Sequence, residues 1–133
     1  MKLYTILSAF ALAATLYSCS DDFAPAENST DAAREFVDAA LKGYYRKAYY
    51  YLLKDSTNEM MFETLKKSYD EMDPKLRREY KDASIIVIEK KDINDSLSTF
   101  RYYPSSNPKD TTSLRIMKAK GLWQVDLKSV IKI

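Results

Sequence analysis

The side chains that could carry chemistry in this chain are of few kinds. The sequence contains one cysteine and no histidine, but it has eleven tyrosines. The absence of histidine removes the usual general base near neutral pH and the commonest metal ligand. A single cysteine excludes an intrachain disulfide and a multi-cysteine metal site. The sequence therefore predicts no metal and no cofactor, and it leaves carboxylates and tyrosines as the candidate functional groups.

A catalytic carboxylate would have to stand on an apolar face, where burial raises its pKa toward neutrality. Asp38 and Asp126 both fall on the predicted polar side of their elements, and Glu89 ends a strand at a predicted surface position. The sequence therefore predicts no catalytic residue, and we expect that the chain is not an enzyme. A small isomerase or hydrolase stays open as an alternative, which would need a buried acid beside a tyrosine hydroxyl.

Tyrosines are the side chains best suited to contact a ligand or a partner, because each joins apolar area to a hydroxyl. Many of them surround one predicted helix, and two more stand beside a loop that contains prolines. The candidate contact residues are Tyr44, Tyr50 and Tyr51 on the helix, and Tyr102 and Tyr103 beside the loop. In the alternative interpretation, Tyr45 and Tyr49 belong to the core and the other tyrosines cover neighbouring elements.

The charge pattern argues against nucleic acid as a partner. The chain has 21 basic and 19 acidic side chains, and the two signs are interspersed along it. Nucleic-acid binding normally requires a concentrated basic face. We therefore expect these charges to form an ordinary solvated surface.

The first residues resemble an export signal. Lys2 gives a positive start, and an uncharged apolar run follows that is too short for a membrane span of roughly 20 residues. The run ends in Leu16-Tyr17-Ser18-Cys19, which resembles the lipobox of bacterial lipoproteins. The resemblance implies a signal peptide of residues 1–18 and a lipidated Cys19 that anchors the chain to a membrane. Ordinary cleavage further along, after residue 24 or 26, is the alternative.

Ser20, Asp21 and Asp22 follow directly. They resemble the acidic signal that sends lipoproteins of some Gram-negative bacteria to the outside of the outer membrane. The resemblance implies an outer membrane lipoprotein exposed at the cell surface, with the periplasmic face as the alternative. Residues 19–29 are then interpreted as a polar, lipidated tether.

Helical periodicity begins at Thr30, and Gly43 stands where the first helix should end. Further helices are predicted over residues 45–52 and 56–72, and a short one begins at residue 74. Ser56 has the spacing of a capping box with Glu59. Asp73 precedes a proline at the first helical position, which is typical of a helix start.

Extended segments follow the helices. Residues 84–89 are apolar on both faces, which predicts a well-covered strand, and further strands are predicted over residues 97–103 and 112–120. The last strand places Val125 and Leu127 on one face and Asp126 on the other. Helices followed by sequential hairpins predict an α+β fold with an antiparallel sheet.

Two short motifs in the first helices resemble the opening of small nuclear-transport-factor-2-like (NTF2-like) domains. They are Ala33-x-x-Phe36-Val37-x-Ala39 and Lys42-Gly43-x-Tyr45-x-x-Ala48. The chain is more closely similar to uncharacterised bacterial lipoproteins of the DUF4878 type, whose last strand resembles Gly121-Leu122-Trp123-Gln124-Val125. The resemblance implies that residues 30–133 form an NTF2-like cone: N-terminal helices on a curved antiparallel sheet of about four strands, often with a pocket between them. It implies no chemistry, because this fold carries enzymes, binding modules and dimerising proteins alike.

These observations together favour a membrane-anchored exported lipoprotein whose domain is a ligand-binding or protein-interaction module of the cell envelope. Its expected partners are the membrane through Cys19, and either a small molecule or an envelope protein. Beside the enzyme, the remaining alternative is a structural lipoprotein that has no ligand and forms a homodimer through the open face of its sheet.

Overall fold

The computed structural model describes the backbone of residues 23–132 and the side chains from Phe23 to Lys128. The predictions on the signal peptide (residues 1–18), the lipid attachment at Cys19, and the export signal at Ser20, Asp21 and Asp22 lie outside the described residues.

Four helices precede a four-stranded antiparallel sheet, which confirms the predicted α+β class. The helices are α1 (Ser29–Lys42), α2 (Tyr45–Tyr50), α3 (Ser56–Asp70) and α4 (Pro74–Asp82). The strands are β1 (Ile85–Asn94), β2 (Leu97–Pro104), β3 (Thr112–Ala119) and β4 (Leu122–Lys132). They lie side by side in chain order, so that each strand pairs with the next through a hairpin.

The helix ends follow local capping chemistry. The side chain of Asn28 accepts a hydrogen bond from the Asp31 amide at 2.9 Å and begins α1. Gly43 ends it in the left-handed region at φ 72°, as its position predicts. Asp73 caps α4 ahead of its proline, also as predicted. The predicted capping box of α3 is wrong by one residue: the cap is Asp55, whose Oδ1 accepts from the Asn58 amide at 2.8 Å.

The second helix is shorter than its periodicity predicts. It ends at Tyr50, and the chain then pairs with β4 instead of continuing as a helix. The Leu53 amide donates to the Val125 carbonyl at 2.9 Å, and the Val125 amide donates to the Tyr51 carbonyl at 2.7 Å. Leu52, which the pattern assigned to a helical face, is buried next to this bridge. A contact with a strand some seventy residues away therefore overrides the local helical pattern.

The first strand is not the covered strand that its sequence predicts. Among the described strands, β1 is an edge of the sheet and pairs only with β2. Ile86 is 37% exposed and Ile88 is 45% exposed, while the alternate residues Ile85 and Val87 pack against the core. The face with Ile85 and Val87 is covered because α1 packs on that side of the sheet. The opposite face of the strand, with Ile86 and Ile88, is exposed.

The core lies between the helices and the sheet. α1 contacts all four strands, α3 contacts β4, and α1 also contacts α2 and α4. The largest wholly buried apolar side chains come from both layers: Val37, Leu52, Phe100, Ile116 and Val125. Each of them stabilises the fold by about 1.5–3 kcal/mol through burial. The helices and the sheet are therefore one packed unit.

Candidate functional site

A groove of about 390 Å³ lies between the helices and the sheet. Side chains of α1, α3 and α4 form one wall, and side chains of β2, β3 and β4 form the other. The walls are largely apolar and include Val37, Leu41, Met61, Leu65, Leu114 and Leu127. Sites for small molecules are usually apolar concavities of about 300–1,000 Å³ with a few convergent polar groups. This groove has the size and the lining of such a site.

Several polar side chains line the groove, and the best connected of them surround Asp110. The Tyr80 hydroxyl of α4 donates to Asp110 Oδ2 at 3.1 Å, and Asn107 Nδ2 donates to the Tyr80 oxygen at 3.4 Å. Tyr102 of β2 is the register partner of Thr112 of β3, and both residues line the groove. Burial and the charge of Asp110 raise the pKa of the Tyr102 phenol well above its ordinary value, so that it stays protonated.

The ring of Tyr69 is held firmly in the wall of the groove. It lies edge-to-face on Tyr45 with ring centroids 5.7 Å apart, and the Arg77 guanidinium lies 5.6 Å from its centroid. The Tyr45 hydroxyl donates to Asp70 Oδ1 at 3.0 Å, and burial together with this carboxylate raises the pKa of Tyr45. Opposite the ring is the backbone of Gly43, where an added Cβ would come within 2.7 Å of Tyr69 Cε1. Glycine at this position therefore lets α1 and the Tyr69 ring approach closely.

The five tyrosines proposed from the sequence are not brought together. Tyr102 lies in the groove wall, whereas Tyr103 is half-buried and does not line the groove. Tyr44 is 53% exposed at the surface. Tyr50 is half-buried, with its ring 4.9 Å from that of Tyr51.

Tyr51 belongs to the core instead of a binding surface. It is 5% exposed, and its hydroxyl donates to the Ala24 carbonyl at 2.8 Å. Burial raises its pKa to about 12. Tyr49, which the alternative interpretation places in the core, is 38% exposed and donates to Glu59 at 2.6 Å. Helical position alone therefore did not separate covered tyrosines from exposed ones, because α2 is too short to repeat its pattern.

Asp126 is the clearest correction to the sequence analysis. The alternation of apolar and polar residues along β4 predicts that the Asp126 side chain is exposed. The side chain is instead wholly buried, with 0% exposure. Asp126 Oδ1 accepts from Asn58 Nδ2 at 3.2 Å and from the Lys128 amide at 3.1 Å. Asp126 Oδ2 forms an ion pair with Arg115 Nη2 at 3.0 Å. Among the described residues, no donor is aligned well enough to make a hydrogen bond to this oxygen.

This buried carboxylate has a structural role. Asp126 pairs with Arg115 across β3 and β4, on the face opposite to that of Val125 and Ile116, and it does not line the groove. Asn58 completes the link, because its Oδ1 accepts from the Leu127 amide at 2.8 Å. The cluster therefore joins the first turn of α3 to β4 and does not present an acid to a ligand.

A surface ion pair continues the same link. Lys128 Nζ contacts Asp55 Oδ2, the carboxylate that caps α3. Lys128 and then the Asn58 amide hold the pKa of Asp55 below its ordinary value, and Asp55 raises the pKa of Lys128. The start of α3 is thus tied to β4 by both a buried and an exposed contact.

A second concavity of about 350 Å³ lies on the other side of α1, and its lining is mostly charged. It is lined by Arg34, Glu35, Asp38, Lys47, Ser84 and Ile85. Its acids are paired, because Lys47 contacts Glu35 and Lys42 lies 2.9 Å from Asp38. Among the side chains from Phe23 to Lys128, no group of acids offers a set of metal ligands. The helices described here also include none that is long and apolar enough to cross a membrane.

The sequence analysis missed Asp110 and Tyr80, the polar centre of the groove. Asp110 lies in the loop that contains the prolines, and Tyr80 lies in the short helix that begins at residue 74. One signal was present: Asp110 stands two residues before Thr112, the first buried residue of β3. Comparison with known proteins gives no further guide, because no family model, no curated protein and no solved structure matches this chain.

Proposed function

We propose that this chain is a membrane-anchored lipoprotein of the cell envelope whose domain binds a small, largely apolar molecule in the groove between its helices and its sheet. The observation that carries the binding part is the groove itself: about 390 Å³, largely apolar walls, and a few polar side chains that include Asp110 and Tyr80. The combination of apolar area with a few placed polar groups is what fixes a small ligand and orients it.

The proposed family is the NTF2-like one, of the DUF4878 lipoprotein type. Support comes from the short motifs in the first helices and in the last strand, and from the α+β arrangement of helices followed by a four-stranded antiparallel sheet. A groove between the two layers is compatible with the pocket that this resemblance implies.

The proposed location is the outer membrane, with the domain at the cell surface. This proposal rests on lipid attachment at Cys19 and on the export signal at Ser20, Asp21 and Asp22. The domain would then lie close to the lipid. Phe23 already packs on Tyr50, with ring centroids 5.7 Å apart. The four-residue step from Cys19 to Phe23 spans at most about 14 Å when extended.

The anchor is tested by the change Cys19→Ser. Cells fed a radiolabelled fatty acid are expected to label the unaltered chain and to leave the variant unlabelled, because serine offers no thiol for the thioether. The matched change Ser20→Ala should keep the label. An equally labelled Cys19→Ser chain, or an unlabelled original chain, contradicts the anchor.

The groove is tested by native mass spectrometry on the full chain with Cys19→Ser, so that its own acyl chains cannot fill the site. We expect a reproducible added mass after gentle purification from the bacterial host. The change Ala40→Phe puts a ring into the groove wall. It should raise the dissociation constant about tenfold, a loss of roughly 1.4 kcal/mol in binding, and so lower the occupied fraction.

The control for that experiment is Ala24→Phe, the same change at an exposed residue outside the groove. It should leave the added mass unchanged. An added mass that survives Ala40→Phe at full occupancy places the ligand elsewhere, and a chain that never carries an added mass contradicts the proposal.

A small enzyme is the second candidate, because Asp110 stands beside the Tyr80 hydroxyl inside the groove. An acid beside a tyrosine is the arrangement that proton-transfer chemistry of the isomerase type requires. Asp110 lies in a loop and is only half-buried, so it lacks the desolvation that such a base needs. Binding without reaction therefore remains the better-supported function.

The interaction alternative also has an observation in its favour. Ile86, Ile88 and Ile93 are exposed along β1, the edge strand of the sheet. An exposed apolar edge strand is a common place for strand pairing with another chain. A homodimer or an envelope protein could use this edge while the groove holds a ligand.

A further inference from the structure

The outer edge of the sheet at β1 is open to another strand. β1 is an edge among the described strands, and each of its residues from Ile88 to Asn94 is exposed. Ile88 and Ile93 are 45% and 49% exposed within this stretch. An uncovered edge strand presents unpaired backbone donors and acceptors that a further strand can complete.

We propose that two copies of this chain pair antiparallel through β1, around a two-fold axis at Lys90, and so join their sheets into one. This pairing depends neither on the groove nor on the anchor, so it goes beyond the proposed function. A two-fold dimer uses the same surface of both copies, and that surface must therefore complement itself.

The order of the charges along β1 is self-complementary. Glu89 and Lys91 are the register partners of Arg101 and Thr99, which flank Phe100 on β2, so both lie on one face of the sheet. When Lys90 meets Lys90 of the second copy, Glu89 of each copy stands opposite Lys91 of the other. Opposite charges that face each other across antiparallel strands stabilise the pairing. Charged residues on an edge usually discourage pairing, but this order favours a second copy.

The two charges are available for this contact. Glu89 and Lys91 are exposed, and within the described part of the chain neither makes an ion pair or a side-chain hydrogen bond, not even Glu89 with its neighbour Arg101. Lys90 differs, because its Nζ lies 2.9 Å from Asp92 Oδ2 of the same strand. This acid compensates the positive charge that would meet its copy on the axis.

The neighbouring registers fit less well. Residues that face each other across antiparallel strands share one face of the sheet, so the two-fold axis passes through a residue. An axis at Glu89 or at Lys91 would place a charge without a partner of its own against the same charge of the second copy. The axis at Lys90 instead brings the two unpaired charges together.

Charge reversal tests the register, in the full chain with Cys19→Ser. A single strand pair buries little area, so we expect a dissociation constant in the micromolar range by sedimentation equilibrium at low salt. Glu89→Lys or Lys91→Glu alone puts like charges opposite each other and should raise this constant about tenfold or more. An equimolar mixture of the two variants should dimerise again, because every facing pair between them has opposite charges.

Cross-linking tests the position of the axis. Cys19→Ser leaves no cysteine in the chain, so Lys90→Cys introduces a single thiol. Its two copies would face each other across the axis with Cα atoms about 4.5–5.5 Å apart, and mild oxidation should link them. The control Asp95→Cys places the thiol in the exposed turn after β1, where the two copies are farther apart than the roughly 7 Å that a disulfide permits. It should cross-link much more slowly.

Four results would overturn the proposal. They are a chain that stays monomeric, a dimer that neither charge reversal weakens, a mixture of the two charge variants that stays monomeric, and a Lys90→Cys chain that cross-links no faster than Asp95→Cys. A monomer that captures a strand of another protein would assign the edge to that partner and overturn pairing with a copy. All the changed strand residues are exposed, and circular dichroism verifies that each variant is folded.

Discussion

Replacing Asp126 with alanine is expected to destabilise the domain by about 2–4 kcal/mol, because hydrogen-bond donors around the buried carboxylate lose their acceptor at about 1–3 kcal/mol each. The change leaves Arg115 without its buried carboxylate and takes away the acceptor of Asn58 Nδ2 and of the Lys128 amide. Urea unfolding followed by circular dichroism measures the loss as a lower midpoint at an unchanged slope.

The exposed Asp95 gives the matched control, since Asp95→Ala removes the same side chain at the surface and should cost less than about 0.5 kcal/mol. A loss below about 1 kcal/mol for Asp126→Ala contradicts the structural role of the buried cluster. It would mean that the contacts of the Asp126 carboxylate contribute little to holding α3 on β4.

The change Gly43→Ala is expected to destabilise the domain by about 2–4 kcal/mol, as the sum of a left-handed backbone penalty and the displacement of a packed ring. Gly43 has φ 72°, and its new Cβ would lie 2.7 Å from Tyr69 Cε1. The ring cannot move away freely, because Tyr45 and Arg77 pack against it.

Gly121 supplies a control in the same chain for the Gly43 prediction. It has φ 77°, yet an added Cβ there meets nothing within 4 Å, so Gly121→Ala should cost only the backbone penalty of about 1–2 kcal/mol. Thermal and urea unfolding measure the loss in free energy of unfolding for each variant. The difference between the two losses is the cost of the contact with Tyr69. Equal losses for the two glycines would show that the Tyr69 ring yields without cost.

The parts of the fold that could be predicted from the sequence are those governed by local chemistry. The Gly43 helix end and the Asp73 cap ahead of a proline depend on residues within one helical turn of each other. The prolines predict the loop between β2 and β3, although Pro104 itself still pairs with Ile85 as the last residue of β2. The strands β2 and β3 begin and end close to their predicted bounds. These features need no knowledge of distant contacts.

The parts that could not be predicted depend on residues far apart in the chain. Asp126 is buried because Asn58, 68 residues earlier, hydrogen-bonds to it, and alternation along a strand contains no sign of that partner. Asp110 becomes a groove residue because Tyr80 of α4 meets it across 30 residues of chain. Tyr51 is buried because the segment that follows α2 bridges to β4. In each case a long-range contact decides which face of the local pattern is covered.

The central claim is that the groove between the helices and the sheet holds a small apolar molecule, and a crystal structure of the chain purified gently from its host tests it most directly. We expect continuous electron density, longer than a chain of waters, along the groove wall at Leu65 and Leu114. A groove filled only by separate water molecules, or closed by its own side chains, would contradict the account.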